Sequence, residues 1–338
     1  MSPGLRRYIL IRILLTIPML LILVSIVFFV LRVLPGDPAL AIMREGASEE
    51  QLDAFRATMG LDKPLPVQYV EFVSGLVRFD FGTSMTRPRA VVDEIRTFFP
   101  ATIELALASM LVTTLVGVFS GAYAAQHRKS TADYSIRILS VIFYSIPIFW
   151  LGILLQMFFG AKLGWLPVSG RLAPGMTPDT IITGLYTIDA ILLKDWPLLK
   201  DAVAHLVLPS ITLGLVLAGI FTRLTRANML DVLEQDYITA GRARGLRERV
   251  LVYKHGLRNA FIPIVTLLGL QFSLLLAGAI LTETTFSWPG LGRLVVDRIF
   301  DRDFTTVQGS ILFFATLVAG GSLTVDILYG FLDPRIRY

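Results

Sequence analysis

The chain has 338 residues, of which 54% are hydrophobic and 17% charged, with no cysteine and three histidines; its mean hydropathy is +0.67. An ordinary soluble domain carries about 25% charged residues, so a chain this apolar needs lipid as its main solvent. The missing cysteines exclude a disulfide scaffold, a thiol nucleophile and a zinc-cysteine site, and His127, His205 and His255 are too few for a histidine-rich metal or proton relay.

Crossing about 30 Å of hydrocarbon takes about 20 predominantly apolar residues in a helix. Six uncharged runs of 17 or more residues qualify: Ile13 to Leu31, Leu105 to Gln126, Ile138 to Ala161, Leu206 to Thr222, Ala260 to Thr282 and Phe304 to Val325. The fourth is the shortest. Runs this long and continuous suit helices, whereas barrel strands alternate over about ten residues. The expected fold class is therefore an all-α membrane protein with six transmembrane helices. Arg6, Arg7 and Arg12 precede the first run as they would in a secretory leader. A 19-residue core ending in Arg32-Val33-Leu34-Pro35 is too long for a leader and lacks a small-x-small cleavage site, so it is read as a retained first helix.

Six spans put both termini on one side. The loops on that side carry 16 Lys/Arg against 7 acids, and those on the other carry 15 against 19. By the positive-inside rule the basic face is cytoplasmic, with both termini there.

Residues 32 to 104 form an outer segment of 73 residues, too long for a bare connection, so it should have structure of its own. Ser48-Glu49-Glu50-Gln51 is a capping-box pattern, with Leu52, Phe55 and Met59 on one helical face and Gly60 and Pro64 as stops. Pro66 can open a second helix carrying Tyr69, Val73 and Leu76, and Ala90 to Phe99 reads as a third that leads through Pro100 into the second span. The segment reads as a docking surface for an external partner or as a plain folded cap. In the second outer loop, residues 162 to 205, the stretch Ile181 to Leu193 is too short to span and is interrupted by Asp189; it is expected to lie along the membrane surface.

Within the spans, Pro18, Pro147, Pro209 and Pro263 mark kinks or helix entries, and Gly117-Val-Phe-Ser-Gly121 suits close packing of two helices. Trp150, Trp165 and Trp196 read as interfacial anchors or loop packing. Gln156, Gln271 and Ser273 are polar at membrane depth and should face protein or a water-filled path; Phe272 beside them is as well suited to core.

The cytoplasmic segment from Arg223 to Asn259 has helical composition, with Gly245 placed to cap and separate two short helices. Its centre, Thr239-Ala240-Gly241, is small enough for another backbone to approach closely. Arg242, Arg244, Arg247 and Arg249 suit acidic partner groups or anionic lipid heads. Composition alone favours a solvated basic loop.

At these residues the chain resembles a known family. Tyr237-Ile238-Thr239-Ala240-Gly241-Arg242-Ala243-Arg244-Gly245-Leu246 looks like the cytoplasmic EAA motif of permease subunits in type I ABC importers, whose pattern is Glu-Ala-Ala, three residues, then Gly. Pro35-Gly36-Asp37-Pro38, the stretch Glu283-Thr-Thr-Phe-Ser-Trp-Pro-Gly-Leu-Gly-Arg293 and the tail from Asp326 to Arg337 resemble the peptide and nickel permease branch, in the first-permease type with a long first outer loop. Thr239 stands where the motif has Glu, and Gly241 where it has the second Ala. His255-Gly-Leu-Arg-Asn259 matches the continuation usual for the peptide branch.

The resemblance implies a type I ABC importer permease fold that moves di- or oligopeptides, or a related solute, across a bacterial cytoplasmic membrane by alternating access. It also implies a second permease as heterodimer partner, two ATPase subunits carrying ATP and Mg, and a periplasmic or lipid-anchored solute-binding protein. The residues from Tyr237 to Leu246 would couple to the ATPases. Gln156, Gln271, Phe272 and Ser273 are the candidates for the translocation path. The expected organisation is residues 1–31 as the N-terminus and first span, 32–104 as the outer region, and 105–338 as a five-helix core with its coupling loop at 223–259.

Other classes lack their residues. No Gly-x4-Gly-Lys-Ser/Thr loop is present, so the chain binds no ATP by that device and needs separate ATPases. Neither His-Glu-x-x-His nor Gly-x-Ser-x-Gly occurs, so no enzyme, cofactor or metal site is expected, and nothing points to nucleic acid. The rival is an ion-coupled secondary transporter of small solutes, which would place ionisable residues inside spans. Here Glu104, Glu283 and Asp326 lie only at span edges.

Overall fold

The computed structural model describes residues 3–33, 38–43 and 48–332. The stretch Pro35-Gly36-Asp37 and the end of the tail beyond Leu332 lie outside them. Among the described residues the architecture is helical, and the only β pairing is an isolated bridge between Thr83 and Ala90.

The first helix, α1 (Pro3–Val33), carries Pro18 without ending there. It leads to α2 (Pro38–Met43), α3 (Glu49–Thr58) and α4 (Leu65–Val77) of the outer segment. The α3 start is the expected capping box: Ser48 Oγ accepts from the Gln51 amide, and Gln51 Oε1 accepts from the Ser48 amide. Leu52 is buried beneath it.

The next helix, α5 (Val91–Gln126), passes through Pro100 without a break, so the third outer helix and the second span are one rod. Its outer end is fixed by Arg298, whose guanidinium donates twice to Glu94 at 2.9 Å. The two glycines of the Gly117-Gly121 pair face Ala218, Phe221 and Thr222 of a later helix of the same chain, with no room for a Cβ.

The third apolar run is not a straight span. It folds as α6 (Thr131–Ser145) and α7 (Ile148–Lys162), bent by 102°. Pro147 supplies no amide to continue α6 and holds Ile146 extended, at φ −72° and ψ 129°. Pro18, Pro209 and Pro263, by contrast, stay inside their helices.

In the second outer loop, α8 (Tyr186–Leu193) is organised around Asp189. This residue does not interrupt an exposed helix: it is fully buried and accepts from the Thr183 hydroxyl and from the amides of Ile182, Thr183 and Gly184. Burial pushes the Asp189 carboxyl up, but these four donors more than offset it and hold it below its ordinary value.

The run that looked shortest becomes the longest helix, α9 (Trp196–Leu233), 38 residues capped by Asp195. Charged residues at both ends had hidden its length. It lies at the centre of the bundle, packed against α5, α6, α7 and α8. Then follow α10 (Asp236–Ala243), α11 (Val250–Leu276), α12 (Ile280–Thr285), α13 (Leu291–Phe300) and α14 (Phe304–Leu332). The fifth run ends its helix at Leu276, because Gly278 takes φ +102° and turns the chain into α12.

Among the described residues five helices are long and apolar enough to cross a membrane, and the bent α6–α7 pair makes up to six if it counts as one span. The main core joins Leu105 of α5, Leu206, Leu213 and Leu217 of α9, Leu275 of α11 and Trp288.

Candidate functional site

The segment between α9 and α11 is held by side chains from three spans. Ile238 is completely buried and enters a core with Ala122 and Ala125 of α5, Met229 and Leu233 of α9, and Val252 and Ala260 of α11. One side chain thereby ties the two-turn helix α10 to the adjoining ends of three long helices. The ends are braced further by Arg226, which donates to both Asp133 oxygens at 2.6 and 2.8 Å, and by an Arg128–Glu234 pair at 2.7 Å.

Gly241 faces inward. A Cβ there would meet Leu251 Cδ2 at 2.6 Å, so its smallness serves packing within this chain. That corrects the expectation that the small centre as a whole serves a partner's backbone. Thr239, Ala240 and Ala243 form the small exposed face instead, with Arg244 beside them.

Gly245 takes φ +75° and closes α10 as a Schellman cap. Its amide donates to Arg242 O at 2.9 Å, and the Leu246 amide donates to Gly241 O at 3.2 Å. A Cβ on Gly245 would point into open space, so the constraint at this position is backbone conformation.

The arginines divide. Arg242 donates to both Glu248 oxygens, at 2.8 and 3.2 Å, and holds that carboxyl below its ordinary value. Arg244, Arg247 and Arg249 are exposed. Tyr237 is 44% exposed, and its hydroxyl accepts from Asn259 Nδ2 at 2.8 Å. Leu251 and Glu248 complete this arrangement with Asn259, and sequence reading missed those two, because a leucine and a glutamate in a basic loop have no distinctive spacing.

The four path candidates do not form one cluster. Gln156 Nε2 donates to Val168 O at 2.6 Å and Thr285 O at 3.1 Å, tying α7 to the second outer loop and to the end of α12. Ser273 is buried, donates to Gly269 O at 2.9 Å and faces Gly321 of α14. Phe272 packs on the main core. Gln271 is half-buried.

The edge carboxylates are all engaged. Glu104 Oε2 accepts from Arg171 at 2.6 and 2.8 Å, while its other oxygen accepts from the Thr187 hydroxyl and amide. Asp326 pairs with Arg12 at 3.3 Å. Glu283 is fully buried and accepts from Thr102 and the Arg293 amide. Among the described residues no cluster of three or more metal-ligating side chains occurs.

Comparison with known proteins bears on the family and the fold. The family model described as binding-protein-dependent transport system inner membrane component matches residues 114–338, and the model of the corresponding N-terminal membrane component matches residues 5–106. The di/tripeptide transport system permease protein DppB of Pseudomonas aeruginosa is 45% identical over 92% of this chain and 93% of its own length. The dipeptide transport system permease protein DppB of Escherichia coli K12 is 41% identical over 98% and 99%. The glutathione transport system permease protein GsiC of Salmonella choleraesuis is 40% identical over 98% and 99%. Among solved structures, an inward-facing MetNI methionine ABC transporter chain matches with a TM-score of 0.54 at 15% identity, covering 71% of this chain and 96% of that one, and so shares its fold. The family sets aside the ion-coupled alternative. This chain belongs to the inner-membrane permease components of binding-protein-dependent transport systems, an integral membrane subunit of a larger transport complex rather than an enzyme.

Proposed function

We propose that this chain is one permease of a heterodimeric pair in an ATP-driven importer that carries di- or oligopeptides inward by alternating access. Two separate ATPase subunits would bind ATP and Mg, and a periplasmic or lipid-anchored binding protein would deliver the solute. Peptide cargo is supported by relatives named for di/tripeptide, dipeptide and glutathione transport, at 40–45% identity over nearly the whole chain. The excess of lysine and arginine in the loops that flank α10 supports a cytoplasmic position for α10 and both termini.

The observation that carries the mechanism is the burial of Ile238 between α5, α9 and α11. In this reading the exposed face of Thr239, Ala240 and Ala243 seats in an ATPase groove. When the ATPases close on ATP, α10 moves with them, and Ile238 passes that displacement to three spans at once. A packed interior transmits such a shift because it does not compress. The Schellman cap at Gly245 and the buried Ile238 make α10 a rigid lever. Residues 1–31, 32–104 and 105–338 then serve as first span, outer cap and transport core. Gln271 and Phe272 are the preferred path residues; Gln156 and Ser273 are already committed to bonds within the chain.

The test is uptake of a radiolabelled dipeptide by cells with and without the chain, with ATP and the proton gradient depleted separately. Chain-dependent uptake that stops on ATP depletion alone is expected. Uptake that follows the gradient would overturn the mechanism, and uptake of another solute only would overturn the cargo.

A further inference from the structure

A cavity of about 510 Å³ lies between α1, α4, the outer end of α5 and α14. Its walls are aliphatic and aromatic, with Leu20 and Val24 of α1, Phe99 of α5, and Leu312 and Phe313 of α14 among them; among the described residues Arg96 of α5 is its one charged lining residue. Leu20 lies at the centre of the apolar stretch Ile9–Val30, and Leu312 near the centre of Phe304–Ile327. The cavity therefore starts at the middle of two spans.

Its other end is polar. Arg96 precedes Leu105, the start of the uncharged run of α5, by nine residues, about 14 Å along the helix, and so stands outside that run. The Arg96 side chain is 78% exposed, and its nearest carboxylate, Asp93, stands 3.9 Å away, beyond a good hydrogen bond. Over the rim, Val77 of α4 is 78% exposed and Phe79 just after it 72%. An apolar rim of this kind suits the boundary between headgroups and acyl chains.

We propose that this cavity is a phospholipid site, with one acyl chain running from the bilayer centre to the rim and the lipid phosphate on the Arg96 guanidinium. The walls reject a peptide, whose backbone amides would find no partners there. A planar guanidinium at the mouth matches a phosphodiester, because its N–H donors pair with two phosphate oxygens at once. Through contacts with α1, α4, α5 and α14, a bound lipid would join the first span to the rest of the bundle. This site lies outside the coupling helix and does not depend on the cargo or on which side is cytoplasmic.

The test uses the assembled transporter in nanodiscs doped with phosphatidylglycerol bearing a diazirine near the end of one acyl chain, with a diazirine diacylglycerol lacking phosphate as the second probe. After irradiation, labelled peptides are mapped by mass spectrometry. The phosphatidylglycerol label is expected on the α1 and α14 segments around Leu20 and Leu312. Val24→Trp, which fills the cavity, should remove it. Arg96→Glu, at an exposed position that leaves the fold alone, should lower it by about fivefold or more, since a basic side chain near the surface is worth about 1 kcal/mol toward an anionic lipid. The diacylglycerol should label these segments as weakly as the Arg96→Glu protein labels with phosphatidylglycerol. Equal labelling by both probes, labelling spread evenly over all lipid-facing helices, or a cavity covered by a partner subunit's helix and unlabelled in the wild type would each overturn the proposal.

Discussion

The Thr102 hydroxyl of α5 donates to Glu283 Oε1 at 2.9 Å, joining residues 181 positions apart, and accepts from the Leu291 amide at 2.8 Å. The other Glu283 oxygen accepts from the Arg293 amide at 2.9 Å. Trp288, fully buried, donates from Nε1 to Ala101 O at 2.8 Å. A Cβ on Gly290 or Gly292 would run into the Glu283 carboxylate. The stretch from Glu283 to Arg293 is thus one closed turn clasped around a carboxylate and bolted to α5, and its glycines are there to let the backbone come close.

Thr102→Val should cost about 1–3 kcal/mol, because it keeps the shape but strands a buried carboxylate oxygen and an amide. Gly290→Ala should cost at least as much, since the added methyl has only the carboxylate to displace. Thermal unfolding of the detergent-purified complex reads both. An unchanged midpoint for both variants would mean that the turn is not held by Glu283.

The second outer loop is docked to α5 by the Glu104–Arg171 pair, whose side chains are 4% and 7% exposed. Arg171 also lies over the Tyr186 ring at 3.7 Å from its centroid and donates to Gly184 O. Arg171→Met leaves Glu104 charged and buried and should destabilise by about 3–5 kcal/mol. Adding Glu104→Leu should recover part of that loss, limited by the Thr187 amide and hydroxyl left without their acceptor. Limited proteolysis between residues 172 and 185 offers a local readout: cleavage should speed up in the single variant and slow again in the double one.

In α10, the helix proposed to couple to the ATPases, packing and backbone conformation can be separated. Ile238→Ala empties a fully buried site and should cost about 2–5 kcal/mol locally, so ATP hydrolysis by the assembled complex should continue while transport falls. Gly245→Val forces a β-branched residue into a left-handed conformation, whereas Asn adopts it more readily. Gly245→Asn should therefore retain more uptake than Gly245→Val. Gly245→Trp should abolish transport while leaving membrane insertion intact, and full transport by that variant would remove Gly245 from the coupling surface.

Asp189 makes a pH prediction. Its folded carboxyl titrates below its unfolded value, so its stabilisation is fully present above about pH 4 and is lost as pH falls through the depressed folded value. Asp189→Asn should lower the unfolding midpoint at pH 7. The gap between wild type and variant should then close as the pH is taken below about 4. A gap independent of pH would show that hydrogen-bond geometry alone, and not the charge, holds the loop.

Much of this protein is written locally. Six apolar runs, the Ser48-Gln51 capping box and the Gly245 break between short helices are read directly from residue type and spacing, because lipid thickness, capping hydrogen bonds and the left-handed conformation each demand particular residues at particular intervals. What spacing did not reveal depends on neighbours far along the chain. Asp189 reads as a charge interrupting an apolar stretch until four donors from residues 182–184 surround it. Gly241 looks like part of a surface meant for a partner until Leu251 is seen against it. Pro147 is the same proline by sequence as Pro209 and Pro263, yet it alone among these ends a helix and turns it by 102°. Sequence by itself determined that the chain is a bundle of membrane helices with a small-faced basic loop. Only tertiary packing decided which small residues face inward and which carboxylates are clasped, because burial is a property of the neighbours a fold assembles and not of the residue itself.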